Sequence, residues 1–201
     1  MMSTIDPLEL ELRRSAPASE PPPTVCEAAA EAGLLDVAYA TFDSPLGRLL
    51  LATTPRGLVR LAYIDYSDED EVLEDLARDV SPRVLDAAWR LDEPRRELDE
   101  YFAGRRRAFD LPVDLRVAPF HESVLHELAR VPYGETTTYG TLAARSGHPR
   151  AARAVGTVMN RNPIPIVLPC HRVVGATGAL VGYAGGLDRK RTLLAIEGVD
   201  V

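Results

Sequence analysis

Cysteine, tryptophan and long apolar runs are all scarce in this chain. Its 201 residues include two cysteines and one tryptophan. Cys26 and Cys170 lie far apart, so a disulfide scaffold is not expected, and their spacing to the histidines matches no zinc motif. No apolar run reaches transmembrane length, and the N-terminus shows no secretory signal. We therefore expect a cytoplasmic protein, in a reducing compartment, without metal or membrane association.

Positive charge is also in deficit, since the net charge is −7, which argues against a nucleic-acid partner. The deficit is uneven, however. Residues 115–201 carry ten Lys or Arg and six Asp or Glu, whereas the first 114 residues carry 13 Lys or Arg and 24 Asp or Glu. The second half is thus the candidate for binding phosphates, although a solvated surface of uneven charge explains the split equally well. The hydrophobic content of 46% is enough for the core of one or two domains.

The composition divides the chain into three parts. Residues 1–36 are rich in Pro, Glu and Ala and are predicted to form a flexible extension. A capping box at Thr24–Glu27 predicts a short helix reaching Gly33, and Cys26 in its first turn is interpreted as an incidental thiol.

Residues 37–112 have the pattern of a small α+β unit. Turn signals at 44–47 and 55–57 separate three apolar segments, which predicts an antiparallel meander. Helical patterns follow at 68–80 and 93–104. Nothing catalytic is evident here, and Trp89 and Tyr101 are interpreted as core or interface aromatics.

Residues 115–201 have a different character. A helix is predicted from Pro119, followed by two short helices, the first capped by Thr138 and the second opened by Pro149, in a helix-turn-helix outline. The second helix is unusually rich in small residues, which permit close approach either to DNA or to a neighbouring helix. Arg150 and Arg153 at its start favour DNA.

The stretch "NPIPIVLPCHRVV" places a cysteine after a short apolar run. Pro163 and Pro165 exclude a helix, so residues 164–168 are predicted to be extended and buried, with Cys170 emerging at the end. By chemistry alone, this thiol is a nucleophile, a buried structural cysteine or, least favoured, a metal ligand. His171 and Arg172 follow directly, but adjacent side chains need not touch.

This stretch resembles the active-site signature of the O6-alkylguanine-DNA alkyltransferases. The similarity extends to "YGETTTYGTLAARSGHPRAARAVGTVMNRNP" before it and "GALVGYAGGLDRKRTLLAIEG" after it. The resemblance implies an α/β (α+β) fold with a ribonuclease-H-like domain over 37–112. It also implies a helical, winged-helix-like domain with a helix-turn-helix over 115–201, which binds DNA and holds the active site.

The resemblance also implies roles for individual residues. Cys170 takes the alkyl group, His171 deprotonates it through a water, and Glu197 orients that histidine. Asn162 ties the helix-turn-helix to the active-site segment, and Tyr139 helps to extrude the nucleotide. Arg153 fills the vacated stack. The remaining substrate-binding or DNA-binding positions are Ala151, Ala152, Gly156, Met159, Arg172, Val173, Tyr183, Ala184, Gly185 and Lys190.

The implied reaction is a single transfer from O6-alkylguanine in duplex DNA, with O4-alkylthymine as a further candidate, by a monomer that needs no cofactor. Ala184 departs from the family, which often has serine there, so its side chain cannot contact O6. Three alternatives stay open. They are a non-catalytic damage sensor or regulator, a cysteine hydrolase using His121, His126 or His148, and a methyl-sensing activator, although no cysteine-rich zinc domain is present.

Overall fold

The computed structural model describes residues 25–65 and 67–200, except the side chains of residues 25 and 26. The predicted N-terminal helix is present as α1, Val25–Glu31, and is followed by Gly33 at a φ of 68°. Thr24, most of the predicted extension and the thiol of Cys26 lie outside the described residues. After α1, Asp36 accepts hydrogen bonds from Ser81 and Arg83, which attaches this segment to the domain.

The predicted meander is confirmed. Strands β1 (Val37–Ser44), β2 (Gly47–Thr54) and β3 (Gly57–Tyr63) pair antiparallel in sequence order. The three-residue β4 (Val84–Asp86) was not predicted and pairs parallel with β1, giving the sheet order β3-β2-β1-β4. A strand this short has too few alternating residues to produce a pattern of its own.

Two helices complete this half. In α2 (Glu69–Asp79), the Asp68 side chain accepts from the Asp70 backbone N–H, and Val72 and Leu76 pack on one face of the sheet. A 3₁₀ turn over Ala88–Leu91 leads into α3 (Asp92–Phe102), whose buried face includes Leu98 and Tyr101. Trp89 is 43% exposed, so the core interpretation was wrong for it, and an interface role stays a prediction.

The second half is mainly helical, and the predicted helix-turn-helix is present. The helices are α4 (Pro119–Ala129), α5 (Tyr139–Arg145), α6 (Ala152–Asn160) and α7 (Leu187–Ile196). Thr138 caps α5 as predicted, by accepting from the Thr141 backbone N–H at 3.1 Å. Pro149 lies in the turn before α6 and does not open it, because the Ala151 N–H bonds the His148 carbonyl and delays the helix. None of the described helices is long and apolar enough to span a membrane.

The two halves are joined along the outer edge of β3. The Leu58 N–H donates to Pro112 O and Leu58 O accepts from the Asp114 N–H, both at 2.8 Å, while the Leu61 N–H donates to Pro163 O at 2.9 Å. The edge is therefore covered by the segment that connects the halves and by the segment that leads to Cys170. One apolar cluster also runs through both halves, from Leu49 in β2 to Leu193 in α7, and this core positions the site.

Candidate active site

Cys170 is the first residue of a 3₁₀ turn, Cys170–Arg172, and it is buried, with 3% of its surface exposed. Burial raises the pKa of its thiol to about 11, against the smaller opposing effects of a hydrogen bond from Asn162 and the charge of Lys190. The resting thiol is therefore protonated at neutral pH, and a base must remove the proton when the sulfur reacts.

The segment before Cys170 is not the extended run that was predicted. Leu168 N–H donates to Ile164 O at 2.9 Å, and Ile166 has a φ of 74°, so the chain forms a tight turn. Asn162 fixes this turn, because its Nδ2 donates to Leu168 O at 2.8 Å and its Oδ1 accepts from the Ile164 N–H at 3.1 Å. The prediction of an extended segment rested on the apolar residues and the prolines. These features carry no information about bonds from a side chain to the backbone, and such bonds make the turn possible.

His171 and Glu197 form a buried pair beside the thiol. His171 is 0% exposed, and its Nε2 lies 2.9 Å from Glu197 Oε1. Burial lowers the pKa of His171, which leaves the ring neutral, and the bond to the carboxylate places the proton on Nε2. Nδ1 then carries the lone pair, and this atom has no hydrogen-bond partner among the described residues. The pair can therefore accept one proton at Nδ1.

Glu197 follows the last residue of α7 and remains ionised although it is buried. Burial raises the pKa of its carboxyl, but hydrogen bonds from His171 and Arg172 outweigh it and hold the pKa at about 2. The Gly134 backbone N–H adds a further donor at 3.2 Å. The carboxylate is thus a fixed negative charge that sets the orientation of His171.

The structure gives Arg172 a different position from the predicted contact with substrate or DNA. Its Nε donates to Glu197 Oε2 at 2.9 Å and its Nη2 to Oε1 at 2.8 Å, and Nη1 bonds the Val131 carbonyl. The side chain is buried, because this bidentate pair compensates both charges. Arg172 stabilises the carboxylate, and it is not presented to the surface.

Lys190, also predicted to bind substrate or DNA, is likewise directed inward. It lies within α7, is 0% exposed, and donates from Nζ to the Val173 and Val181 carbonyls. Burial lowers its pKa to about 8, partly opposed by the nearby Cys170. Lys190 therefore fastens β6 (Val173–Val174) and the following loop to α7, and it is the cation that lowers the pKa of Cys170.

Three of the residues with predicted site roles, Met159, Tyr139 and Tyr183, pack in one cluster with the thiol. Met159 is buried, and Tyr139 and Tyr183 are partly buried against the same apolar cluster as Cys170. A thiolate at Cys170 would raise the pKa of both tyrosines, as burial does, so their rings lie close enough to feel its charge. Both hydroxyls thus remain protonated and can donate.

The backbone is tightly constrained at Gly185, just before α7. A Cβ built on Gly185 would lie 2.7 Å from the Tyr63 ring and 2.8 Å from the Tyr183 ring, so only glycine fits. Ala184 beside it is exposed, and Val173 is buried in β6, which pairs with β5 (Thr137–Thr138). These short strands connect the start of α5 to the turn that holds Cys170.

Of the predicted DNA-contact residues of the helix-turn-helix, Ala151, Ala152 and Arg153 lie at the accessible start of α6, whereas Gly156 lies within the helix and faces α5. Arg153 is exposed, and its side chain has no hydrogen bond or ion pair with any other described residue. Ala151 and Ala152 are partly exposed, as is Gly156, where an added Cβ would lie 3.9 Å from the Tyr139 ring. The small residues therefore fit both interpretations given above. Gly156 allows α6 to pack closely on α5, and the start of α6 stays accessible to DNA.

Two tyrosines of the sheet-containing half reach the site and were not identified from the sequence. The Tyr63 hydroxyl lies 2.8 Å from the Tyr183 hydroxyl, and the Tyr101 hydroxyl donates to Glu197 Oε1 at 2.7 Å. Both occupy core-facing positions of an ordinary strand and helix, so no local signal distinguishes them from packing residues. Among the described residues, no cluster of His, Cys, Asp or Glu could hold a metal ion.

Comparisons with known proteins agree over both halves. Residues 37–115 match the ribonuclease-like domain and residues 119–199 the DNA binding domain of 6-O-methylguanine DNA methyltransferase. Methylated-DNA--protein-cysteine methyltransferases from Methanosarcina acetivorans and Mycolicibacterium paratuberculosis are 43% and 45% identical, covering 80% of this chain and 97% and 92% of theirs. The Mycobacterium tuberculosis OGT structure in complex with DNA is 39% identical, with a TM-score of 0.70 over 80% of this chain and 92% of that one.

Proposed function

Because the chain belongs to the 6-O-methylguanine DNA methyltransferase family, we propose that it repairs DNA by taking the alkyl group of O6-alkylguanine onto Sγ of Cys170. The observation that carries this proposal is the buried thiol beside the neutral His171–Glu197 pair, within a domain that has an exposed, cationic helix-turn-helix. A soft sulfur nucleophile suits attack on a saturated carbon.

The proposed step moves one proton and one alkyl group. The Sγ proton passes through a water to Nδ1 of His171, while sulfur attacks the alkyl carbon and the carbon–O6 bond breaks. The bonding pair stays on guanine O6, where the Tyr139 hydroxyl donates a hydrogen bond, and solvent water supplies the proton that the released guanine takes up. Glu197 stabilises the resulting imidazolium. The product is a thioether that no residue near Cys170 can cleave, so each molecule reacts once.

The target carbon is out of reach in a stacked duplex, so the nucleotide must leave the helix. Flipping costs a few kcal/mol, and less where alkylation already weakens the pair. We propose that Arg153 fills the vacated position and that the small N-terminal residues of α6 allow close approach to the minor groove. Its freedom from acidic partners supports this role, because a paired arginine would first have to break a salt bridge.

The pocket for the alkyl group is proposed to lie between Met159, Tyr183 and the backbone at Ala184 and Gly185. Gly185 lets the backbone approach the tyrosines, and the Ala184 backbone N–H is proposed to donate to O6 in place of the serine hydroxyl that the family often has. We propose that O6-alkylguanine is the specific lesion and that a monomer is sufficient. O4-alkylthymine is a further candidate for the same pocket.

Two alternative functions agree less well with the observed contacts. A non-catalytic damage sensor would not need the thiol and its base, yet both are present and assembled. The histidines considered for a cysteine hydrolase lie elsewhere, because the rings of His121 and His148 contact Phe120, and His126 pairs with Glu122.

The proposal is tested by incubating the full chain with a duplex that contains one O6-methylguanine. The expected result is one methyl group per protein molecule, on the peptide that contains Cys170. Repeated turnover, or a methyl group on the Cys26 peptide, would contradict it. Binding of the lesion without any change in protein mass would favour the damage sensor.

A further inference from the structure

We propose that Tyr101 is a positioning residue for alkyl transfer, because its hydroxyl holds the Glu197 carboxylate in place against His171. The inference rests on the proposed function. Tyr101 lies on α3, in the sheet-containing half, and only 1% of it is exposed. Its hydroxyl donates to Glu197 Oε1 at 2.7 Å and lies 3.4 Å from His171 Nε2, so it contacts both members of the pair.

The position of this hydroxyl is fixed by aromatic packing. The Tyr101 ring has edge-on or tilted neighbours in Phe102, Phe109 and Tyr133, with centroids 5.7, 5.3 and 6.2 Å away. A tyrosine used only for packing would not need a buried hydroxyl, since phenylalanine fills the same space without a polar atom to satisfy. The hydroxyl is satisfied here by the carboxylate that orients the base.

Oε1 of Glu197 is the atom at which donors from three side chains meet. It accepts from His171 Nε2 at 2.9 Å, from Arg172 Nη2 at 2.8 Å and from the Tyr101 hydroxyl. Arg172 constrains the carboxylate from the 3₁₀ turn, whereas Tyr101 constrains it from α3. The carboxylate of α7 is therefore held between two other elements, and one of them belongs to the other half of the chain.

The hydroxyl also affects the basicity of His171. By donating to Oε1, it spreads the negative charge that would otherwise favour the imidazolium. The charged groups that face His171 are Glu197, Arg172 and Lys190, and the last two both disfavour its protonation. Removing the hydroxyl concentrates charge on Oε1, which should raise the pKa of His171 and loosen its orientation together.

The chain offers a control for the loss of one tyrosine hydroxyl in the half-buried Tyr133. Tyr133 neighbours Tyr101, but its hydroxyl donates to the Ile196 backbone carbonyl at 2.7 Å and has no contact with His171 or the Glu197 carboxylate. Tyr101→Phe and Tyr133→Phe therefore remove the same group from the same cluster, and only the first change removes it from the reacting network.

The test measures transfer from free O6-benzylguanine by full-length protein over a range of concentration and pH. Tyr101→Phe is expected to lower the saturating rate constant about tenfold, since a hydrogen bond to a charged group is lost. It should also move the acid limb of the pH profile to higher pH and leave the half-saturating concentration unchanged. Tyr133→Phe should alter none of these.

A second measurement does not depend on transfer. Nitrogen-15 NMR of the histidine rings in the unreacted proteins should show a raised pKa for His171 in Tyr101→Phe alone. Equal rate losses in the two variants, or an unshifted acid limb and an unshifted His171 signal in Tyr101→Phe, would overturn the positioning role. A wild-type chain that accepts no alkyl group would instead contradict the proposed function itself.

Discussion

The two halves of the molecule use their arginines differently. In the sheet-containing half, every described arginine except Arg105 is bound to an acid or a hydroxyl or lies over an aromatic ring, as in the pair of Arg83 with Asp36 and the stacking of Arg107 on Tyr133. On the helix-turn-helix side, four exposed arginines have no ion pair or side-chain hydrogen bond among the described residues, namely Arg145, Arg150, Arg153 and Arg161. Cations without acidic partners are available to neutralise phosphates. We therefore propose that these four arginines mark the DNA-binding face, which is a narrower assignment than the net charge allows.

A second contrast separates this face from the reaction centre. The charges around Cys170 are buried and bound to one another, with Glu197 accepting from His171, Arg172 and Tyr101. A buried, satisfied network fixes geometry, whereas an exposed set of cations adapts to a partner. Chemistry and DNA handling should therefore be separable by substitution.

The largest effect is expected at the thiol. Cys170→Ser should abolish transfer, because a serine hydroxyl is a far poorer nucleophile toward a saturated carbon, while duplex binding persists through the unchanged cationic face. Intact mass after incubation with methylated duplex, together with a binding titration, measures both. Cys26→Ser is the control and should react like wild type; loss of transfer in that variant would contradict a single acceptor at Cys170.

A large effect on stability is expected at the carboxylate. Glu197→Gln leaves Arg172 as a buried cation without its counter-charge, which should lower the free energy of unfolding by about 3 kcal/mol. Urea denaturation at neutral pH measures this loss. In the control Glu93→Gln, whose carboxylate lies 3.8 Å from Arg96 on the surface, stability should hardly change.

The same variant gives a pH signature. The pKa of Glu197 is about 2 in the folded chain, whereas its ordinary value is 4.5. The contribution of the ionised carboxylate to the free energy of unfolding is therefore complete above pH 4.5 and is lost as the pH falls toward 2. Wild-type stability should decline through this window more steeply than that of Glu197→Gln. Parallel declines would show that Glu197 is not held as an ion.

A smaller effect is expected on the exposed face. Arg153→Ala should weaken duplex affinity about threefold and reduce the slope of log affinity against log salt by about one, since one cation near the phosphates is lost. Fluorescence anisotropy at several salt concentrations measures both quantities. Arg78→Ala, which removes a cation already bound to Asp75 and Asp79, should leave the slope as in wild type.

Patterns local in sequence predicted much of this fold. The meander, the capping of α5 by Thr138 and the helix-turn-helix all follow from turn residues and apolar spacing that lie within a few positions of each other. The segment before Cys170 was predicted wrongly because its turn depends on the Asn162 side chain bonding the backbone six residues away.

For the candidate site, too, local sequence patterns predicted only part of the arrangement. A contiguous motif was enough to propose Cys170 and His171 as site residues, but no local pattern indicates that Arg172 and Lys190 point inward. Their burial depends on Glu197 and on the Val173 and Val181 carbonyls, which only the tertiary fold brings within reach. Tyr101, 96 positions from Glu197 along the chain, could be recognised only once the two halves were seen packed together.

One crossed measurement tests the separation of chemistry from DNA handling most directly. Transfer rates of Glu197→Gln and Arg153→Ala are compared with wild type on methylated duplex, methylated single strand and free O6-benzylguanine, at a temperature where all three proteins are folded. We expect Glu197→Gln to slow all three reactions by the same factor, because it acts on the thiol's base. Arg153→Ala should slow the duplex reaction most and leave the free base unaffected. A uniform decrease with Arg153→Ala, or a decrease confined to duplex with Glu197→Gln, would contradict the account.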